Sequence, residues 1–459
     1  MENKSYIVAV DIGSSKVVVA VGSTTDMKTI TVEAIVKEAT DGVSAGLVDN
    51  SQSVSKALRA ALDKVEDSLQ IKISDAYACL SGKFVRSARY TDHVFVEDAE
   101  NCISQPDLKA LNDRMLNVKA PDDEFIMDLY PVEYKNDAGM KLAQPVGAYS
   151  KQLSATYNFI LCERSAKDRL RRVFTNANIS HPKAIYASGS VIAESLASND
   201  EKQEGVAIVD IGCGVTDIAV YYGGVLCHMA SLPIGSSALN DDIQHFTTNL
   251  PAATVEKLKV RHGAAIATSK PESTIQIRRS NTTKHISLFN LEAVTEARMT
   301  EIAEYVWKEI RDTGLSSKLS SGIILTGGGA KLAQIAELFH RITNLDVRVA
   351  SAEVGIAVEQ AELVSDTDST LVVSLLLRGL REGACRVQML GVEAEEPEQE
   401  YIDDEKPDGD EDFLDEDEDF DDLSEKKPGF FGRFKKMFSK TLTTAFSNPD
   451  DVAEEDDDF

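Results

Sequence analysis

The chain has 459 residues, too many for one ordinary compact core, and 43% of its side chains are apolar, the content of a globular protein. Its formal net charge is −28, but from Glu393 onward 27 acidic residues against seven basic ones account for −20 of it, leaving −8 for the body. A mildly acidic body with no legible basic face argues against nucleic acid as a partner, and six scattered cysteines without a C-x-x-C read as free thiols rather than metal ligands or a disulfide framework.

The N-terminus, MENKSYIVAVDIG, lacks a basic and an apolar signal region, because Asp11 interrupts the apolar run, and it reads as the start of a cytoplasmic protein. Residues 6–22, YIVAVDIGSSKVVVAVG, then give strand, tight turn, strand, the grammar of a hairpin. Between Gly82 and about Ser165 lies a stretch apolar enough to pack, with a strand in QPVGAYSKQLSATYNFILC, 144–162; a variable loop is the bland alternative. The segment AIYASGSVIAESLA, 184–197, reads as helix. Residues 206–224, VAIVDIGCGVTDIAVYYGG, repeat the opening hairpin, which suggests two similar lobes facing each other. Residues 322–332, GIILTGGGAKL, run a third apolar strand into three glycines and a helical stretch, AKLAQIAELFHRI.

The turns carry the chemistry. Gly13, Gly212 and Gly214 let the backbone come close to a ligand, with successive N–H groups pointing into a concavity that suits phosphate oxygens. Ser14, Ser15 and Thr216 add hydroxyl donors and Lys16 adds positive charge, while Asp11 and Asp210 at the strand ends suit Mg²⁺ held through its waters. One D-x-G is ordinary turn chemistry; two copies, each ending an apolar strand, point to one shared ligand. Gly327, Gly328 and Gly329 would set bare backbone against that ligand at a helix N-terminus, in a pattern distinct from the dinucleotide G-x-G-x-x-G.

The tail is of another kind. Residues 391–427 are almost unbroken acid, which predicts a disordered, self-repelling linker with a reach on the order of 100 Å at most. Beyond it, FFGRFKKMFSKTLTTAF places Phe431, Phe434, Phe438, Leu442 and Ala445 on one helical stripe, with Met437 alongside and Phe430 and Phe446 at its margins. Arg433, Lys436 and Lys440 fall opposite and Lys435 nearer the boundary, the pattern of a helix lying in an anionic membrane interface. Burying four phenylalanines is worth about 6–12 kcal/mol gross, and each cation near lipid adds about 1 kcal/mol. Docking on the body, binding a partner protein, and disorder remain as alternatives. No apolar run approaches the roughly 18–20 residues that span a bilayer.

The two hairpins and the glycine triplet, in this order, resemble the actin/Hsp70/sugar-kinase superfamily. The resemblance implies an α/β, actin-like fold: two ribonuclease-H-like lobes around a nucleotide cleft, with ATP and Mg²⁺ as cofactors. On it, Asp11–Lys16 is the first phosphate loop and Asp210–Thr216, with Cys213 and Val215, the second; Leu325–Lys331, with the three glycines and Lys331, is the adenosine motif. Residues 184–197 would be the first interdomain crossing helix, and 354–361 or 369–380 the second. Glu194 is the candidate to activate water, and slow hydrolysis at most is expected.

Within the superfamily the chain is similar to the FtsA family of bacterial cell division. PAATVEKLKVRHGAA, 251–265, would supply Glu256 and Lys259 as ribose and adenine contacts, and LPIGSSALNDDI, 232–243, places Gly235 at the γ-phosphate. Ser236 stands where that family has a second glycine, and Asn240 or Asp241 where it has threonine. The implied organisation is subdomain 1A (1–82, 165–202, 352–390) carrying a 1C insertion (83–164), and subdomain 2A (203–232, 322–351) carrying 2B (233–321). After it come the linker, an amphipathic membrane helix (428–447) and an acidic end (448–459). Also implied are the FtsZ C-terminal tail on 2B, self-association into filaments, other division proteins, and a peripheral place on the cytoplasmic face of the membrane at the division site. A pilus-assembly homologue like PilM, or a kinase or chaperone ATPase of the same fold, is the alternative.

Overall fold

In a computed structural model the chain divides into two units, Met1–Leu390 and Gly391–Phe459. The structure describes residues 4–247, 250–279, 282–352 and 364–389, all in the first unit. The linker, the amphipathic segment and the candidate crossing helix at 354–361 lie outside the described residues.

The first lobe begins with β1 (Ser5–Ile12), β2 (Lys16–Thr24) and β3 (Thr31–Ala39), an antiparallel meander. Helix α1 (Ser51–Leu69) follows; the Asn50 side chain caps it by accepting from the Gln52 and Ser53 N–H groups at 3.1 Å. Its apolar stripe, Val54, Leu58, Ala61, Leu62 and Val65, recurs at helical spacing and is fully buried. Strand β4 (Ala76–Leu80) returns parallel to β1.

An inserted layer comes next: β5 (Val85–Phe95), α2 (Gln105–Leu116), β6 (Glu124–Lys135) and β7 (Gln152–Glu163). A short strand, Lys141–Leu142, and β6, β7 and β5 form its antiparallel sheet in that order. The chain then re-enters the lobe through α3 (Arg164–Asn176) and β8 (Pro182–Ala187), giving the order β8-β4-β1-β2-β3.

The second lobe repeats the plan. Strands β9 (Val206–Ile211), β10 (Thr216–Tyr222) and β11 (Val225–Leu232) form the meander. A second inserted group follows: α4 (Ser237–Phe246), α5 (Ala252–His262), the hairpin β12 (Thr274–Arg279) and β13 (Thr282–Ser287), and α6 (Leu288–Asp312). Then β14 (Ile323–Thr326) returns parallel to β9, α7 (Ile335–Thr343) crosses, and β15 (Val347–Val349) completes the order β11-β10-β9-β14-β15. Two sheets with one strand order, a three-strand meander extended by two parallel strands, make the doubled actin-like architecture.

The final helix, α8 (Thr370–Glu382), belongs to the first lobe and packs on β1, β2 and β4, while α1 packs on β2 and β3. Strands covered on both faces need apolar residues at every position, and Ile7 to Val10 and Val17 to Val21 are all fully buried. A Cβ added to Gly379 would sit 2.6 Å from the Ile7 side chain and 2.8 Å from the Tyr77 ring, so α8 lies directly on the sheet. A short strand after it, Val387–Met389, pairs with Ile71–Ile73.

Two expected helices are corrected. In 184–197, Ala184–Ala187 belongs to β8, and only Ser188–Val191 and Ala193–Leu196 are helical turns. After the glycines, Gly328–Lys331 is a single 3₁₀ turn; Gln334 is left-handed with φ 62°, and the α-helix starts only at Ile335.

Candidate phosphate-binding cleft

The two hairpin turns meet. In the first, the Gly13 N–H donates to the Lys16 carbonyl at 3.0 Å; in the second, the Gly212 N–H donates to the Val215 carbonyl at 2.9 Å. A Cβ on Gly214 would lie 2.5 Å from Ser14 Oγ, so only the missing side chain lets the lobes approach this closely. The glycine triplet leans on the second turn from the other side. A Cβ on Gly327 (φ +87°) would sit 2.1 Å from Asp210 Oδ1, and one on Gly329 would sit 2.4 Å from Ile211 Cγ2.

The segment after β11 closes over the second turn. Ser236 N–H donates to the Gly212 carbonyl at 2.9 Å and Ser237 N–H to the Cys213 carbonyl at 2.8 Å. A Cβ on Gly235 would lie 2.5 Å from that same Cys213 oxygen. Thr216 is turned inward, fully buried, and its hydroxyl donates to the Ile234 carbonyl at 2.8 Å, so it fastens this segment rather than offering a donor to a ligand. Ser15 is exposed, and Ser14 and Cys213 are half-buried.

Glu256 and Lys259 form a pair at 2.8 Å on α5. Asn240 on α4 donates to Glu256 at 2.7 Å, and Lys259 Nζ also donates to the Ser236 carbonyl at 3.3 Å. The end of this helix joins the chain beyond the triplet, where Ala265 N–H donates to the Ala333 carbonyl at 2.8 Å. Helix α5 and the glycine turn thus belong to one wall.

Three carboxylates stand at the floor. Loss of water pushes Asp11 up to about 6 and Asp210 up to about 8; Asp217 raises both further, and Lys16 lowers both. Asp217 was not singled out from the sequence. Burial pushes it up to about 6 against the opposing effect of Ser231 and Ser81, and Ser81 Oγ donates to it from the first lobe at 2.6 Å, a tie between the lobes. Carboxylates crowded in this way favour a cation. No group of three His, Cys, Asp or Glu side chains among the described residues is arranged to hold a metal directly.

Lysines line the rim. Lys16 and Lys331 pair with Asp368, and Lys331 with Asp366; Lys37, on β3, pairs with both aspartates. Sequence reading missed Lys37, Asp366 and Asp368 because their meeting depends on strand register and on the position of α8. Glu194 lies in a different network: one carboxylate oxygen faces Arg378 at 3.2 Å and the other Arg381, so arginines hold it rather than leaving it to activate water. Arg378 also faces Asp128 of the inserted layer at 3.6 Å. That layer touches the second lobe as well, where Ser87 Oγ donates to the Met229 carbonyl at 2.8 Å and Asn158 donates to the Leu226 carbonyl at 3.1 Å.

Known proteins share parts of this sequence and this fold. The family described as "Cell division protein FtsA" matches residues 207–373. A cell division protein FtsA of Escherichia coli (strain K12) is 27% identical over 359 residues, covering 76% of this chain and 84% of that one. That of Buchnera aphidicola subsp. Baizongia pistaciae is 26% identical over 390 residues, covering 82% and 91%. Among solved structures, a chain of the "PilM-PilN type IV pilus biogenesis complex" superposes with a TM-score of 0.57 at 13% identity, covering 83% of this chain and 99% of that one, which speaks for the fold alone. Taken with the doubled sheet, these relationships make the chain actin-like in fold and similar to the FtsA cell-division proteins.

Proposed function

We propose that the chain binds Mg·ATP between its lobes and tethers FtsZ polymers to the cytoplasmic face of the membrane at the division site, where it recruits further division proteins. The observation that carries this reading is the meeting of two glycine turns across the cleft, Gly214 against Ser14, above the crowded carboxylates Asp11 and Asp210. In this reading the turn N–H groups and lysines hold the phosphates, and Asp11 and Asp210 hold a hydrated Mg²⁺ that neutralises them. Residues 325–331 with Glu256 and Lys259 then hold the nucleoside. Nucleotide acts chiefly as a conformational ligand that sets lobe orientation, by binding one arrangement better than another.

The inserted layer takes the 1C role and residues 233–321 the 2B role. An open depression between α4 and α6, lined by Asp242, His245, Phe246, Val294, Ala297, Arg298 and Glu301, is where the FtsZ tail would dock in this reading. The cationic aromatic segment at 428–447 is the membrane foot, and filament formation strengthens it by linking many weak anchors. No helix among the described residues is long and apolar enough to cross a membrane.

The test is co-sedimentation with anionic vesicles, comparing the full chain with one ending at residue 424, in the presence and absence of Mg·ATP and FtsZ. The full chain should pellet and bring FtsZ with it. Equal vesicle binding by the two chains would remove the tether. Unchanged Mg·ATP affinity in Asp210→Ala would remove the nucleotide assignment.

A further inference from the structure

Three lysines from three separate elements converge on one carboxylate. Lys16 opens β2, Lys37 lies near the end of β3, and Lys331 closes the turn after the glycines. All three ammonium groups pair with Asp368, that of Lys331 at 3.3 Å and the other two closer. Lys37 also reaches Asp366 at 2.8 Å, and Lys331 pairs with it too. Strand register accounts for Lys37: Asp11 faces Val18 on β2, and Val18 faces Lys37 on β3, so Lys37 shares a sheet face with Asp11.

The two aspartates are held in place by the glycine turn itself. Gly327 N–H donates to the Thr367 carbonyl at 3.2 Å, and Thr367 Oγ1 donates to the Gly327 carbonyl at 2.8 Å. Below them, Thr326 Oγ1 bonds Thr370 Oγ1 at 2.9 Å. Partial burial disfavours the Asp368 charge, but hydrogen bonds from Lys16 and Lys37 outweigh it and hold the carboxyl well below its usual range. An anionic centre is thus fixed beside the glycine turn and paired with three ammonium groups. One carboxylate has only two oxygens for those three ammonium groups, whereas a phosphoryl group offers three outer oxygens and more charge.

We propose that Asp368 is a resident stand-in for a phosphoryl group, and that Lys37, with Lys16 and Lys331, grips the phosphates of bound nucleotide once Asp368 is displaced. The inference rests on reading the cleft as a nucleotide site. Entry of Mg·ATP is then an ion exchange in which no covalent bond forms or breaks. The three ammonium groups leave Asp366 and Asp368 for phosphate oxygens, and the freed carboxylates turn to solvent. While they stay, they repel the incoming triphosphate, so they set a ceiling on affinity.

The experiment is calorimetric titration of the full chain with Mg·ATP, with thermal melting to verify folding. Asp368→Asn should tighten binding about tenfold, Asp366→Asn should tighten it less, and Lys37→Met should weaken it about tenfold. A folded Asp368→Asn that binds no tighter than the parent, while the parent does bind, overturns the inference and leaves the nucleotide reading standing. Should Asp368→Asn fail to fold, Asp366→Asn decides in its place, and unchanged or weaker binding overturns the proposal. Absence of Mg·ATP binding in the parent and both asparagine variants overturns the nucleotide reading and this inference together.

Discussion

Adjacent glycines in one triplet should answer a methyl group in opposite ways. Gly327 is buried at φ +87°, a region that side chains rarely enter, and its added Cβ would lie 2.1 Å from Asp210 Oδ1 and 2.6 Å from the Ile211 carbonyl. Neither neighbour yields easily, since Asp210 is crowded at the end of β9 and the other atom is backbone. Gly328 is exposed, and its Cβ would meet nothing nearer than Asp368 Cβ at 3.8 Å. Backbone strain and overpacking each cost about 1–3 kcal/mol, so Gly327→Ala should destabilise the second lobe by roughly 2–6 kcal/mol. Gly328→Ala should be neutral or stabilise by up to about 1 kcal/mol, through the unfolded chain. Urea titration followed by tryptophan fluorescence reads this directly. The single tryptophan, Trp307, packs against the second-lobe core that includes Ile211, Leu325 and Ala330. Equal urea midpoints for the two variants would refute the geometry assigned to the turn.

Removing Arg378, which faces Glu194 and the buried Asp128, should destabilise the fold by about 3–5 kcal/mol, because it strands carboxylates in a dry site. Arg381→Ala, at an exposed position, should change stability by no more than about 1 kcal/mol; thermal melts that rank the two the other way would count against the network. Asp11, Asp210 and Asp217 have folded values above the ordinary 3.8, so their contribution to stability is full below about pH 4 and is lost as pH rises through about 6 and then about 8. The urea midpoint should therefore fall between pH 6 and 8 without Mg²⁺, and Asp210→Asn should flatten that fall. Of the six cysteines only Cys102 and Cys213 are partly exposed, while burial pushes Cys162 and Cys385 up to about 12. Alkylation of the native chain should thus be fast at no more than those two sites, and Mg·ATP should protect Cys213 but not Cys102, as peptide mass mapping would reveal.

The doubled hairpin was legible because each strand is an unbroken apolar run and each turn carries D-x-G; local sequence alone determines such a unit. The stretch 184–197 misled because its alanines, serines and leucine favour helix, whereas Ala184–Ala187 is drawn into the sheet by parallel pairing with β4, a partner about a hundred residues away in the chain. Thr216 looked like a phosphate donor by its place beside Gly214, and only the course of residues 234–237 shows what its hydroxyl serves. The lysine and aspartate cluster was invisible for a related reason. Lys37 and Asp368 stand 331 positions apart, and nothing near either one announces the other. The sequence SDTDS ahead of an apolar run does signal a helix start, which locates the aspartates without saying what they face.

Gly379 has mechanical meaning. With only a hydrogen where other residues carry a methyl, α8 is seated so close to Ile7 and Tyr77 that it has no room to slide along the strands beneath it. A push on Asp366–Asp368 at its leading end must then be absorbed by the few residues before Thr370 or must swing the entire first lobe as one stiff plate. Arg378 on the same helix faces Asp128 of the inserted layer, so any turning of α8 would be passed on to that layer.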